Sequence, residues 1–201
     1  MVPRLLLVLL CSLITLSGCS KPELNYLAPN ATILAFGDSL TVGKGTSSDN
    51  SYPAVLQLLT GRQVINAGIS GELSNEGLAR LPSLLDQHAP QLVILLEGGN
   101  DILQNRNRDS LKQNLAAMIE LIQARNIQLV FLGVPEKKLF SDSAPLYPQL
   151  AEQYELVFDG NTVAELLRSP EYKSDPVHLN QQGYYRLAEQ IQLILQQHNA
   201  L

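Results

Sequence analysis

Cysteine is nearly missing from this chain: among 201 residues only Cys11 and Cys19 carry a thiol, and both fall within the first nineteen positions. Ser20 to Leu201 therefore offers no disulfide, no thiolate nucleophile and no zinc–thiolate site. Excess positive charge is missing too. Lys and Arg number 14 against 19 Asp and Glu, a formal net charge of −5. An acidic surface argues against nucleic acid as a partner, because that affinity rests on neutralising phosphates. Histidine is scarce, with three residues in all. His88 and His198 sit on helical patterns remote from His178, and no ligand cluster accompanies them, so metal-assisted chemistry has little support in the sequence. Internal repeats and low-complexity tracts are also absent.

The N-terminus carries an export pattern. Arg4 gives a positive start, Leu5 to Leu16 an apolar core, and Leu16-Ser17-Gly18-Cys19 a small-residue cleavage site. The apolar run is shorter than the roughly 20 residues that a spanning helix needs. Leu16 to Cys19 resembles a bacterial lipobox. That resemblance implies a signal peptide over 1–18, lipidation of Cys19, a lipidated N-terminus and tether over 19–31, and a protein held in the cell envelope facing the periplasm. Cleavage without lipidation, giving a soluble periplasmic protein, is the alternative. About 170 residues, 32–201, remain for one domain with a sizeable core.

Within that domain, continuous apolar segments alternate with amphipathic ones, as expected when helices cover both faces of a parallel sheet. Strands are expected at Thr32–Phe36, Gln63–Asn66, Leu92–Leu96, Gln128–Leu132 and Glu155–Phe158. Helices are expected from Pro53 to Leu59, over Leu73–His88 with a kink at Pro82, after a cap at Asp109 or Ser110, and from about Asn180 to Gln197. Gly133 to Pro148, rich in proline and serine, reads as a long loop or lid. Crossovers of this length favour right-handed connections and an open three-layer α/β/α domain, whose ligands sit at the carboxyl ends of the strands.

Gly37-Asp38-Ser39-Leu40 follows the apolar run Thr32–Phe36, placing a serine hydroxyl at the end of a buried strand. Serine is a poor nucleophile unless a histidine takes its proton and a carboxylate holds that histidine's tautomer. Asp175-Pro176-Val177-His178 can supply both. Two further strand-end loops, Asn66-Ala67-Gly68-Ile69-Ser70-Gly71 and Gly98-Gly99-Asn100-Asp101, point to the same edge.

These four blocks, in this order, resemble those of the GDSL (SGNH) hydrolase superfamily, and Gly77-Leu78-Ala79-Arg80-Leu81-Pro82 looks closest to its branch of bacterial thioesterase/lysophospholipase and arylesterase proteins. The resemblance implies an α/β fold, flavodoxin-like, with a mainly parallel five-stranded sheet. It implies Ser39 as nucleophile, His178 as general base and then acid, and Asp175 as the carboxylate that orients it. It assigns the oxyanion hole to the backbone N–H groups of Ser39 and Gly71 and the side-chain amide of Asn100. Residue by residue, other roles stay open: His178 as a solvent-facing or core-satisfied histidine, Asp175 as a turn or helix N-cap residue, Gly71 and Asn100 as plain turn formers. Asp38 and Asp101 are expected to brace these loops, and Gly183-Tyr184 to serve packing.

Pro176 and Leu179 depart from the family's last block and bear on the aim of Asp175. The activity implied is hydrolysis of carboxylic esters through a serine acyl-enzyme, with no metal or organic cofactor. Short-chain and aryl esters, lysophospholipids and thioesters are the implied substrates. A sugar O-acetyl esterase and a non-catalytic envelope lipoprotein binding glycans or lipids are the alternatives. The expected partners are a small-molecule ester and, through Cys19, a membrane; the chain is taken as a monomer by default.

Overall fold

Ile33 to Phe36 and Leu92 to Leu96 are fully buried, as aliphatic runs must be when both faces of their strands are covered. In the computed structural model, which describes residues 22–136 and 142–201, they form the centre of a parallel sheet. Its strands are β1 (Thr32–Gly37), β2 (Gln63–Gly68), β3 (Leu92–Leu96), β4 (Gln128–Leu132) and β5 (Val157–Asp159), in the order β2-β1-β3-β4-β5. This is the flavodoxin-like order. The expected leader over 1–18 and the lipidation site Cys19 lie outside the described residues.

Eight α-helices occur among the described residues: α1 (Ser39–Val42), α2 (Tyr52–Thr60), α3 (Ser74–His88), α4 (Gly99–Leu103), α5 (Arg108–Gln123), α6 (Leu146–Gln153), α7 (Thr162–Arg168) and α8 (Gln181–Gln197). α2 packs against α8 and α3 against α5, giving helical layers with the sheet between them. From β1 the chain steps outward to β2, then crosses back past β1 to β3. The direction reverses between β1 and β3, and a crevice opens at such a reversal because adjoining loops depart to opposite faces.

Several boundaries differ from the sequence-based expectation. Gly133 to Pro148 is not wholly a loop: α6 begins at Leu146, and Leu146, Tyr147, Leu150 and Ala151 are buried at helical spacing. Pro148 falls in the first turn, where a missing N–H costs no intrahelical bond. β5 starts at Val157 rather than Glu155, because Glu155 takes a left-handed φ of 52° that closes the preceding helix. The cap of α5 is Asn107, whose side chain accepts from Ser110 N–H at 2.8 Å. Asp109 instead lies in the first turn, where its charge suits the helix dipole. α3 runs through Pro82 as one helix.

The segment expected to be a tether is docked from Pro22 onward. Leu24 N–H donates to His198 O at 3.0 Å and Leu27 N–H to Ala200 O at 2.9 Å. Leu24, Leu27 and Ala31 join the core.

Candidate active site

Register places Gly37 beside both Gly68 and Leu96, so β1, β2 and β3 end level and launch three loops from one rim. At Gly37 a Cβ would lie 1.9 Å from Leu96 O and 2.6 Å from Thr41 Oγ1. Only glycine lets the chain turn there directly into α1. Asp38 caps that helix, its Oδ1 accepting from Leu40 N–H at 3.0 Å, and Ser39 is the first helical residue.

The fourth element comes from the far end of the chain. Lys173 and Leu179 form an antiparallel bridge, with Ser174 N–H bonded to His178 O at 3.0 Å, which closes a short loop over Asp175 to His178. Leu179 is fully buried and anchors the base of this loop. Asp175 Oδ1 accepts from Val177 N–H and His178 N–H, both at 2.9 Å. Pro176 has no N–H to compete and holds Asp175 toward extended backbone, so this departure from the family pattern is compatible with the turn.

His178 Nδ1 lies 2.7 Å from Asp175 Oδ2, and His178 Nε2 lies 3.0 Å from Ser39 Oγ. Carboxylate, imidazole and hydroxyl thus stand in series. Partial burial would raise the Asp175 pKa, but hydrogen bonds from the His178 ring and the two amides overcome it and hold the carboxyl below its ordinary value. An ionised Asp175 favours the Nδ1–H tautomer, leaving Nε2 with its lone pair toward the serine. Such a series can take the serine proton as Oγ attacks a carbonyl carbon.

Gly71 and Asn100 line the same cleft as that hydroxyl. Gly71 has φ of +84°, a left-handed conformation that a side chain disfavours, while a Cβ there would meet nothing within 4 Å. Glycine is required for the backbone angle, and the space beside it is open. Asn100 sits in α4 and donates one Nδ2–H to Glu72 O at 2.9 Å. Neither Ser39 N–H nor Gly71 N–H donates to an acceptor among the described residues.

A buried polar lattice holds these loops in place. Asp101 accepts from Ser74 N–H at 2.9 Å and Ser74 Oγ–H at 2.8 Å, tying the β3 loop to the start of α3. Asp38 also accepts from Gly99 N–H, joining the β1 loop to the β3 loop. Its carboxyl is pushed up to about 6 by burial, against the pull of those amides and of His178. Arg80 grips Glu72 with Nε and Nη2, both at 2.5 Å, and Nη2 also reaches Ala67 O at 2.9 Å and Gly37 O at 3.3 Å. Its guanidinium lies 4.1 Å from the Phe36 ring centroid. Glu97 is fully buried, and burial with nearby Asp38 pushes its carboxyl well above the usual range.

Glu72, Ser74, Arg80 and Glu97 were not singled out by sequence reasoning as site residues. Arg80 left one signal: it lies on α3 beside the buried stripe of Gly77, Leu81 and Leu85, where a charge requires a partner. Gly183 and Tyr184 pack, since a Cβ at 183 would lie 2.3 Å from Tyr172 O and Tyr184 is fully buried. His88 ends α3, and His198 Nδ1 contacts Pro22 O at 2.7 Å, so neither joins the cleft.

The cleft over Ser39 and His178 has a volume of about 1010 Å³ and includes Ile102, Leu103, Val134, Leu167 and Val177 in its wall. An apolar wall of this kind suits a hydrocarbon group on one side of a polar reacting centre.

Among known proteins, the chain is 37% identical over 153 residues to an arylesterase of Vibrio mimicus, covering 71% of this chain and 76% of that protein. It is 31% identical over 166 residues to thioesterase 1/protease 1/lysophospholipase L1 of Escherichia coli, covering 79% and 80%. The crystal structure of TesA superposes with a TM-score of 0.75 at 28% identity, covering 83% of this chain and 98% of that one. Residues 35–186 match the GDSL-like lipase/acylhydrolase family, and with the level strand ends, the serine after β1 and the fold of its relatives, the chain belongs to that family of hydrolases.

Proposed function

We propose that the protein is a serine esterase that hydrolyses carboxylic esters through an acyl-enzyme formed on Ser39. The observation that carries this reading is the series Ser39 Oγ, His178 Nε2 and Nδ1, and Asp175 Oδ2, with contacts of 3.0 and 2.7 Å at the mouth of a partly apolar cleft. Ser39 Oγ bonds to the acyl carbon while its proton passes to His178 Nε2. The carbonyl oxygen becomes an oxyanion facing Ser39 N–H, Gly71 N–H and the remaining Nδ2–H of Asn100. His178 then gives its proton to the leaving alcohol oxygen as the carbon–oxygen bond breaks. Water repeats the sequence on the acyl-enzyme, returning Ser39 and releasing the acid.

Asp175 stays ionised and steadies the imidazolium that forms at each step. The arylesterase and thioesterase/lysophospholipase names of the relatives support esters as a class. Oxygen esters are favoured over coenzyme A thioesters, because the leader pattern over 1–18 directs the chain out of the compartment where those thioesters are made. Lipidation of Cys19 would hold the domain in the cell envelope, and labelling with radioactive fatty acid tests it: a Cys19→Ala form must take up none.

The catalytic reading is tested with p-nitrophenyl butyrate on the wild type and on Ser39→Ala. The variant is expected to keep its fold and lose hydrolysis to background. Equal rates for the two would overturn the proposal.

A further inference from the structure

The docked N-terminal segment meets the domain at the edge opposite the cleft. Besides the backbone bonds of Leu24 and Leu27, Pro22 O contacts His198 Nδ1 at 2.7 Å, and Asn25 N–H donates to Gln128 Oε1 at the start of β4. Gln128 opens its strand and His198 follows the last residue of α8, so this contact belongs to the amino edge of the sheet. His178 lies just before the other end of α8. That helix measures the separation: 17 residues at 1.5 Å each span about 25 Å.

Only Ser20 and Lys21 stand between Cys19 and Pro22, a reach of about 10 Å even when fully extended. A leash of that length cannot carry its anchor around the domain to the cleft. The amino edge also has exposed apolar side chains. Leu58 is 79% exposed, Tyr26 63% and Leu193 42%. They surround one junction: Arg62 Nη2 reaches Leu27 O at 2.9 Å, its guanidinium lies 5.8 Å from the Tyr26 ring centroid, and Gln192 Nε2 reaches Leu59 O at 3.0 Å.

We propose that this face, around Tyr26, Leu58 and Leu193, lies on the bilayer that holds Cys19, so that the cleft opens away from that membrane and takes its esters from the aqueous side. The inference rests on Cys19 being lipidated. Its consequence for substrate is definite: esters dissolved in the anchoring leaflet are poorly placed, and soluble esters, or esters on structures facing that leaflet, are the substrates served. Attachment to a membrane raises the effective concentration of membrane-borne substrate only when geometry allows both contacts at once.

The full chain, expressed with its leader and purified from membranes, is reconstituted into phosphatidylethanolamine–phosphatidylglycerol vesicles. Because Ser20 to Leu201 has no thiol, Leu58→Cys and Ile69→Cys each introduce one site for a fluorophore, the first on the proposed face and the second on the rim of the cleft. Nitroxide-labelled lipid headgroups are expected to quench the label at 58 strongly and the label at 69 no more than in their absence. Leu193→Cys repeats the first measurement should the variant at 58 fail to fold.

In the same vesicles, an embedded fluorogenic ester is expected to be hydrolysed as fast in protein-free vesicles mixed in as in those bearing the enzyme. A cleft that faced its own leaflet would favour the enzyme-bearing vesicles by ~10²-fold or more. Quenching at 69 equal to that at 58, or such a preference, would overturn the orientation. Intact mass and flotation separate the two ideas: an unacylated chain that fails to float with vesicles refutes the anchor and the orientation that depends on it, while an acylated, floating chain with a quenched rim refutes the orientation alone.

Discussion

Replacing Asn100 with alanine isolates one donor of the proposed oxyanion hole. Asn100 Nδ2 has two hydrogens, one of which is committed to Glu72 O at 2.9 Å, leaving the other for a substrate oxygen. Two losses follow, and their sizes differ. The bond to Glu72 O is an ordinary internal hydrogen bond, so its removal costs about 1 kcal/mol of stability. In a domain of this size that lowers Tm by roughly 2–4 °C.

The donor to the oxyanion acts where charge develops, and losing it costs about 3 kcal/mol of transition-state stabilisation, on the order of 10² in kcat. Substrate in its ground state presents a neutral carbonyl, so KM should move far less than kcat. The assay is steady-state hydrolysis of p-nitrophenyl butyrate beside a thermal melt. A folded Asn100→Ala enzyme whose kcat stayed within about threefold of wild type would refute the assignment, because a donor contributing less than ~1 kcal/mol is not stabilising an oxyanion. Asn100→Asp sharpens the test. It keeps the shape but sets a carboxylate against both Glu72 O and the developing charge, so it should be no faster than the alanine variant.

Three other outcomes are expected. Arg80→Met should lower Tm by roughly 10 °C, since it leaves the carboxylate of Glu72 buried without its partner at a cost of about 3–5 kcal/mol; a melt unchanged within error would contradict this. Asp38, with its pKa raised to about 6 by burial, contributes stability that is fully present below its unfolded pKa near 4 and lost as pH rises through 6. The stability of wild type relative to Asp38→Asn, measured by urea unfolding, should therefore fall between pH 4 and pH 7 by up to ~3 kcal/mol, and a relative stability that grew with pH would reverse the sign of the argument. Asp175→Asn should lower kcat by about 10³–10⁴-fold while KM changes little, because the imidazole loses the partner that selects its tautomer; stopped-flow measurement of acylation would locate the loss in the proton-transfer step.

Much of the molecule can be read from its residues. Ile33 to Phe36 and Leu92 to Leu96 are continuous aliphatic runs bounded by turn-forming residues, and such runs are stable only with both faces covered, so strand positions and fold class follow from local composition. α3, α5 and α8 likewise declare themselves by apolar residues at helical spacing. Short elements do not. α1, α4 and α7 have four, five and seven residues, too few for a period to emerge, and each is held by the loops around it rather than by its own propensity. α6 was hidden by Pro145 and Pro148, which read as loop punctuation although both suit a helix start.

The sequence by itself determined which chemical groups are offered: the hydroxyl of Ser39 and the amide of Asn100 just after strands, and the carboxylate and imidazole three positions apart at Asp175 and His178. It also determined that no thiol follows Cys19. Tertiary structure alone decided that Ser39 and His178, 139 positions apart, come within 3.0 Å, and that Arg80 neutralises Glu72 beneath the rim. It alone decided that the N-terminal segment docks at the edge opposite the cleft. The physical reason is one of range. Backbone propensity and side-chain periodicity act over a turn or a strand, so they are written in neighbouring residues, whereas burial and charge pairing act between segments whose separation in space only the folded chain establishes.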